Sequence, residues 1–95
     1  MIFAVIRSHG GPWQKGKPLE EQLDWTAHAD YMDRLYDAGF FVLVGPLETT
    51  DDVLLIVRGT SPEEVEERLA TDPWTRHGLL KTRLIAPWTL RLGSL

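Results

Sequence analysis

At 95 residues the chain has room for one domain, residues 1-95, whose core is modest because a chain this short buries only about 60 to 65% of its unfolded surface. Fourteen acidic against ten basic residues give a net charge of −4, and the basic ones are scattered, so there is no stripe for tracking phosphates and nucleic acid is not an expected partner. The absence of cysteine excludes disulfides, thiolate nucleophiles and Cys-ligated zinc, and the short apolar start MIFAVI with no basic region before it is neither a signal peptide nor a membrane span; a soluble, cytosolic protein is the expectation.

Ile2 to Ile6 is a β-branched and aromatic run of strand length, followed by a loop through Ser8-His9-Gly10-Gly11-Pro12-Trp13. From Leu19 to Ala38 the pattern is helical: Trp25, His28, Met32 and Leu35 share one face, while Thr26, Asp30, Asp33 and Asp37 share the other, and Gly39 supplies the stop. Phe40 to Val44 reads as a buried strand punctuated by Gly45-Pro46, and Val53 to Val57 as the next, joined to it as a hairpin. Ser61-Pro62-Glu63-Glu64 combines a serine N-cap, proline at N1 and glutamate at N3, opening a second helix that runs to about Ala70. From Leu80 to Leu92 apolar residues recur with strand period, at Leu80, Leu84, Ala86, Trp88, Leu90 and Leu92, with Pro87 bending or breaking the run.

The order β, α, β, β, α, β predicts an α+β, ferredoxin-like fold in which two helices cover one face of a four-stranded antiparallel sheet. Because the central strands are apolar at nearly every position, the other face also needs a cover, and a second subunit would supply it. A homodimer packed sheet to sheet is the expected assembly.

His28 is the most informative single residue, since a titratable imidazole on the apolar stripe of a helix is a candidate acid/base near neutral pH. The alternative is a core histidine satisfied by one hydrogen bond. Asp72 is its candidate carboxylate partner, and the Asp72-Pro73 pair also reads as the N-cap and N1 of a short helix; a carboxylate has enough acceptor sites for both roles. Trp13 and Trp74 could line a pocket for a planar substrate or serve as core or interface packing.

Other constellations are incomplete. His9-Gly10-Gly11 has the form of an esterase oxyanion loop, but no Gly-x-Ser-x-Gly elbow accompanies it. His9, His28 and His77 lack metal-ligand spacing, so no metal site is expected. Glu63, Glu64, Glu66 and Glu67 form a solvated helix face. Ser8 is the one serine neither capping a helix nor near the C-terminus, which makes it a candidate hydrogen-bonding residue of the pocket.

Taken together, His28 with Tyr31 to Leu35, Gly39, Val44-Gly45-Pro46-Leu47, Asp72-Pro73-Trp74 with Gly78-Leu79, and Ile85-Ala86-Pro87-Trp88 resemble the YCII-related family over nearly the whole chain. Two positions depart from its pattern: Asp24 and Trp25 stand where members commonly carry an arginine, and Trp74 replaces the usual phenylalanine. The resemblance implies a relative of the muconolactone isomerases and other dimeric α+β barrel proteins, and of small lyases that include a dehydrochlorinase acting on a chlorinated hydroxyquinol. It also implies that Asp72 orients His28 at the pocket; Ser8, Trp13, Gly45, Pro46 and Trp74 are the candidate substrate-binding residues.

The functional expectation is a cofactor-free enzyme in which His28 moves a proton on a small cyclic or aromatic substrate, Asp72 stabilises the imidazolium, and backbone N–H groups near Gly10-Gly11 steady an oxyanion. No Gly-rich dinucleotide fingerprint is present, and the chain is too small for a flavin or dinucleotide domain. A non-catalytic module that binds a small ligand or a protein through the same pocket is the alternative on the same fold.

Overall fold

Backbone pairing organises the chain around its first strand. In the computed structural model, which describes residues 1–95, β1 (Ile2–His9) lies between β3 (Asp52–Arg58) and β4 (Leu80–Pro87), and β2 (Phe41–Pro46) completes an antiparallel sheet of order β2-β3-β1-β4. Helices α1 (Trp25–Asp37), α2 (Pro62–Ala70) and the single turn α3 (Pro73–Arg76) accompany this sheet, which is the ferredoxin-like arrangement with the short turn expected at Asp72-Pro73 added after α2.

β1 runs three residues beyond the apolar segment, to His9, because its ladder continues: Arg7 faces Val53 and Thr82, Ser8 faces Asp52 and Lys81, and His9 faces Leu80. Polar side chains hid this last third of the strand from a hydropathy reading. Strand alternation puts Phe3, Val5, Arg7 and His9 on the helix-covered face and Ile2, Ala4, Ile6 and Ser8 on the other.

The long helix expected from Leu19 is split. Residues Leu19–Glu21 form one 3-10 turn, and α1 begins only at Trp25, after Asp24 adopts a left-handed backbone with φ of 60°. The break serves tertiary bonds. The buried Gln22 amide accepts from Gln14 N and donates to the Gln14 and Lys17 carbonyls, and Leu23 O accepts from Trp74 Nε1 at 2.6 Å. At its other end α1 closes as expected at Gly39, whose φ is 84°. Gly39 N donates to Tyr36 O and Phe40 N to Leu35 O, the paired bonds of a Schellman stop.

β2 keeps Gly45-Pro46 inside the strand, which an edge position permits because no neighbour needs the proline's missing N–H. β4 ends at Pro87 and carries a register shift opposite Ile6 and Arg7, with Arg83 as the extra residue. That bulge inverts side-chain parity, so Leu84 is exposed on the uncovered face while Ile85 packs against the core. The alternation expected through Leu92 fails because the bulge reverses it at Arg83 and the strand ends at Pro87.

The main core joins Phe3 and Val5 to Phe41, Leu55 and Val57 of the neighbouring strands, with Tyr31 of α1 and Val65 and Leu69 of α2 above them. Each fully buried aliphatic or Phe contributes about 1.5–3 kcal/mol. A smaller cluster of Trp74, Leu79 and Leu80, flanked by Trp13 and Trp25, lies at the other end of the helix–sheet groove.

Candidate functional site

The short helix α3 sets the site. Asp72, its N-cap, accepts from Trp74 N at 2.9 Å through Oδ1, the capping role expected of Asp-Pro. The same Oδ1 lies 2.8 Å from His28 Nδ1, and Oδ2 accepts from Arg7 Nη1 at 2.9 Å. All three groups are buried: Asp72 is 0% exposed, Arg7 1% and His28 7%. A carboxylate can only accept, so His28 Nδ1 carries the proton of that bond and Nε2 keeps the free lone pair in the neutral ring. Both roles expected of Asp72 coexist on one side chain.

Arg7 is the residue a motif reading missed. Its signal was available, since strand alternation from Phe3 and Val5 puts residue 7 on the core face. Its Nη1 binds Asp72 and its Nη2 binds Thr75 Oγ1, which in turn donates to Leu69 O; Nε is buried without a partner. The result is an ordered chain, Arg7–Asp72–His28. Burial opposes ionisation of Asp72, but hydrogen bonds and charge from His28 and Arg7 together outweigh it and hold the carboxyl below the ordinary value. With the guanidinium and carboxylate both charged, the cluster is neutral when the imidazole is neutral. Taking up a proton at His28 leaves it with one positive charge.

A cavity of about 490 Å³ opens beside this cluster between α1 and the sheet, and His28, Trp13, Gly45, Pro46 and Trp74 all line it. Trp74 stacks on His28 with ring centroids 3.7 Å apart and planes 5° from parallel, which fixes the imidazole from one face while Asp72 fixes its edge. Trp25 adds a third indole to the lining. No group of three or more His, Asp or Glu side chains is placed to hold a metal ion.

Two expectations for the site fail on geometry. Ser8 does not line the cavity: alternation turns it to the uncovered sheet face, where its Oγ donates to Asp52 Oδ1 and accepts from Arg83 Nη1 at 3.2 Å. Neither Gly10 nor Gly11 lines the cavity, and the Gly10 N–H is already taken. Gly10 N donates to Leu79 O at 2.8 Å, and a Cβ at residue 10 would lie 1.9 Å from Gly78 O, so glycine is needed there for close backbone approach. His77, at the end of α3, reaches Asp24 at 3.3 Å and is half exposed.

No curated protein matches the sequence. Among solved structures, the 5-chloro-2-hydroxyhydroquinone dehydrochlorinase (TftG) from Burkholderia phenoliruptrix AC1100, in complex with 2,5-dihydroxybenzoquinone, superposes with a TM-score of 0.68 at 24% identity, covering 94% of each chain. That likeness establishes the shared fold. The model of the YCII-related domain matches residues 12–89, and the chain therefore belongs to the YCII-related family.

Proposed function

We propose that the chain is a cofactor-free enzyme that moves a proton on a small planar ring, with His28 as general acid/base and Asp72 as the group that orients it. The observation that carries this reading is the 2.8 Å contact between His28 Nδ1 and Asp72 Oδ1 beneath an aromatic-lined cavity. Held by that bond, the neutral imidazole offers Nε2 as the base. A proton taken from a carbon next to a ring carbonyl, which a hydroxyquinol presents in its keto tautomer, leaves an electron pair on that carbon. The pair either forms a new C=C bond and expels a leaving group such as halide, or is reprotonated at another ring atom by the imidazolium. In the first case the proton on Nε2 passes to water and the site is reset; in the second the site resets itself.

Arg7 acts through Asp72 as a positioning residue. It keeps the carboxylate charged and fixed. Trp13, Trp74, Gly45 and Pro46 would hold the ring. The similar fold that binds 2,5-dihydroxybenzoquinone belongs to a dehydrochlorinase, which favours elimination from a halogenated hydroxyquinol over the other proton transfers. The reading includes a cytosolic homodimer packed through the uncovered sheet face, where Leu43 and Leu84 are 57% and 49% exposed beside Ile2, Ala4, Ile6 and Leu54.

The test pairs turnover of 5-chloro-2-hydroxyhydroquinone with binding of 2,5-dihydroxybenzoquinone. His28→Gln keeps size and hydrogen bonding but cannot exchange a proton near neutral pH, so turnover should fall by about 10²–10⁴ while binding is largely kept. Equal turnover in the variant overturns the reading. Binding without turnover in the wild type would make the chain a small-ligand module instead.

A further inference from the structure

The cavity lining is apolar except at four residues, Arg7, His9, His28 and Asp33. Arg7 is committed to Asp72 and Thr75, and Asp33 is an exposed anion. His9 has no part in the chemistry described above, yet its backbone and one ring stack hold it at the cavity. Its backbone N donates to Asp51 O at 3.0 Å, the next residue's N donates to Leu79 O, and Trp13 N donates back to Gly10 O at 3.1 Å, folding the Trp13 indole onto the imidazole. The His9 and Trp13 rings stack with centroids 3.7 Å apart and planes 9° from parallel.

This repeats the His28–Trp74 arrangement, and the two pairs meet where Trp13 packs edge-on to Trp74 at 5.2 Å. The four rings form a continuous chain with an imidazole at each end and two indoles between them. Each imidazole also has Nδ1 on the side of a carboxylate, closely for His28 and at 3.7 Å from Asp51 Oδ1 for His9. Nε2 of both rings has no protein partner, and Asp51 lies too far from His9 Nδ1 for a hydrogen bond.

We propose that His9 is a second ligand-recognition residue, which hydrogen-bonds a second oxygen on the ring whose first reacting position is met by His28. The substrate class is thereby narrowed to planar rings bearing at least two oxygens on different edges; this rests on the reading of the cavity as a site for small rings. Burial, opposed in part by the charges of Asp51 and Asp52, lowers the His9 pKa below the ordinary histidine value. His9 is then neutral near pH 7, able to bond a hydroxyl or a ring carbonyl without adding a second cation to the cavity.

Hydroquinone and phenol, which differ by the second oxygen alone, are the probes, titrated by NMR against the wild type, His9→Phe and His9→Gln. The wild type should prefer hydroquinone by about 2- to 12-fold, the worth of one net hydrogen bond. His9→Phe retains the stack on Trp13 and should bring hydroquinone down to the level of phenol, whereas His9→Gln, which keeps a polar end, should retain part of the preference. A His9→Phe variant with the wild-type preference, or one that loses both ligands equally, overturns the inference while leaving the cavity reading intact. A wild type that binds neither probe overturns the cavity reading itself.

Discussion

The two ends of the groove between helices and sheet are built on the same strands and packed by opposite means. At one end Phe3 and Val5 of β1 meet Val57, Val65 and Leu69 in a dry apolar cluster. At the other, Arg7 and His9 of the same face of the same strand meet Asp72, His28 and three indoles. The first end is held by area removed from water, which is non-directional and forgiving of small changes in shape. The second is held by charges and hydrogen bonds whose partners must all be present, because a buried charge left alone is far more costly than a pair is favourable. A two-residue step along β1, from Val5 to Arg7, thus separates scaffold from site.

The largest expected break in this comparison is Asp72→Ala. It removes the counter-charge of Arg7, the partner of His28 Nδ1 and the cap of Trp74 N in one change. Stranding the guanidinium in a site 1% exposed should destabilise the fold by about 3–5 kcal/mol. Urea unfolding of Asp72→Ala beside an Arg7→Met, Asp72→Ala double variant checks the cause. If the unpaired charge is responsible, the double variant recovers much of the loss; if the double variant is no better than the single, the lost cap and imidazole bond account for it.

Changing pH should press on the two ends in opposite directions. At the site end, the Asp72 carboxyl lies below its ordinary value in the folded protein. Its contribution is therefore present above the unfolded carboxylate range and lost as pH falls through the folded value. At the dry end Tyr31 donates to Arg68 O at 2.7 Å. Burial first, and the Asp72 charge second, push its pKa up to about 12. The folded pKa is above the unfolded one, so that contribution is complete below about 10 and is lost as pH rises toward 12. Urea midpoints measured across pH should show both limbs. Tyr31→Phe should flatten the alkaline limb alone, whereas Asp72→Asn should flatten the acid limb and, by removing a charge that helps raise Tyr31, shrink the alkaline limb as well; an alkaline limb untouched by Asp72→Asn would show the two ends to be separate.

The dry end was the more legible in sequence. Its strands are apolar runs, and its helix caps, Ser61 and Gly39, depend on local chemistry that a short window contains. The site end was legible only in part. His28 stands out on an apolar stripe, and the family resemblance tied it to Asp72. Arg7 and His9 lie past the end of the apolar run, where polarity suggested loop, although the period of two that placed Phe3 and Val5 inward extends to both. Ser8, one residue away, has the opposite parity and so faces away from the pocket. The break before Trp25 was not visible locally at all, because Gln22 and Leu23 are drawn out of helix by Gln14, Lys17 and Trp74. Nor was the bulge at Arg83, which exists only in relation to β1.

The smallest effect offers the sharpest form of the comparison, since each end contains a helix cap. Ser61 Oγ accepts from Glu64 N at 3.1 Å, and Glu64 Oε1 accepts in return from Thr60 N at 2.8 Å, one residue beyond the N-cap N–H of the usual capping box. This cap supports α2, whose Val65 and Leu69 close the dry core. Ser61→Ala removes one local bond at a partly exposed position where water can replace it, so the expected loss is about 1 kcal/mol, or about 4–8 °C in Tm for a domain of this size. The cap at Asp72 uses the same geometry but shares its oxygens with a buried arginine and histidine. The ratio of the two alanine losses in urea unfolding then measures how much of the Asp72 loss comes from charge rather than from capping. A Ser61→Ala loss as large as that of Asp72→Ala would mean that helix capping alone accounts for both, and that the charged end is no more demanding than the dry one.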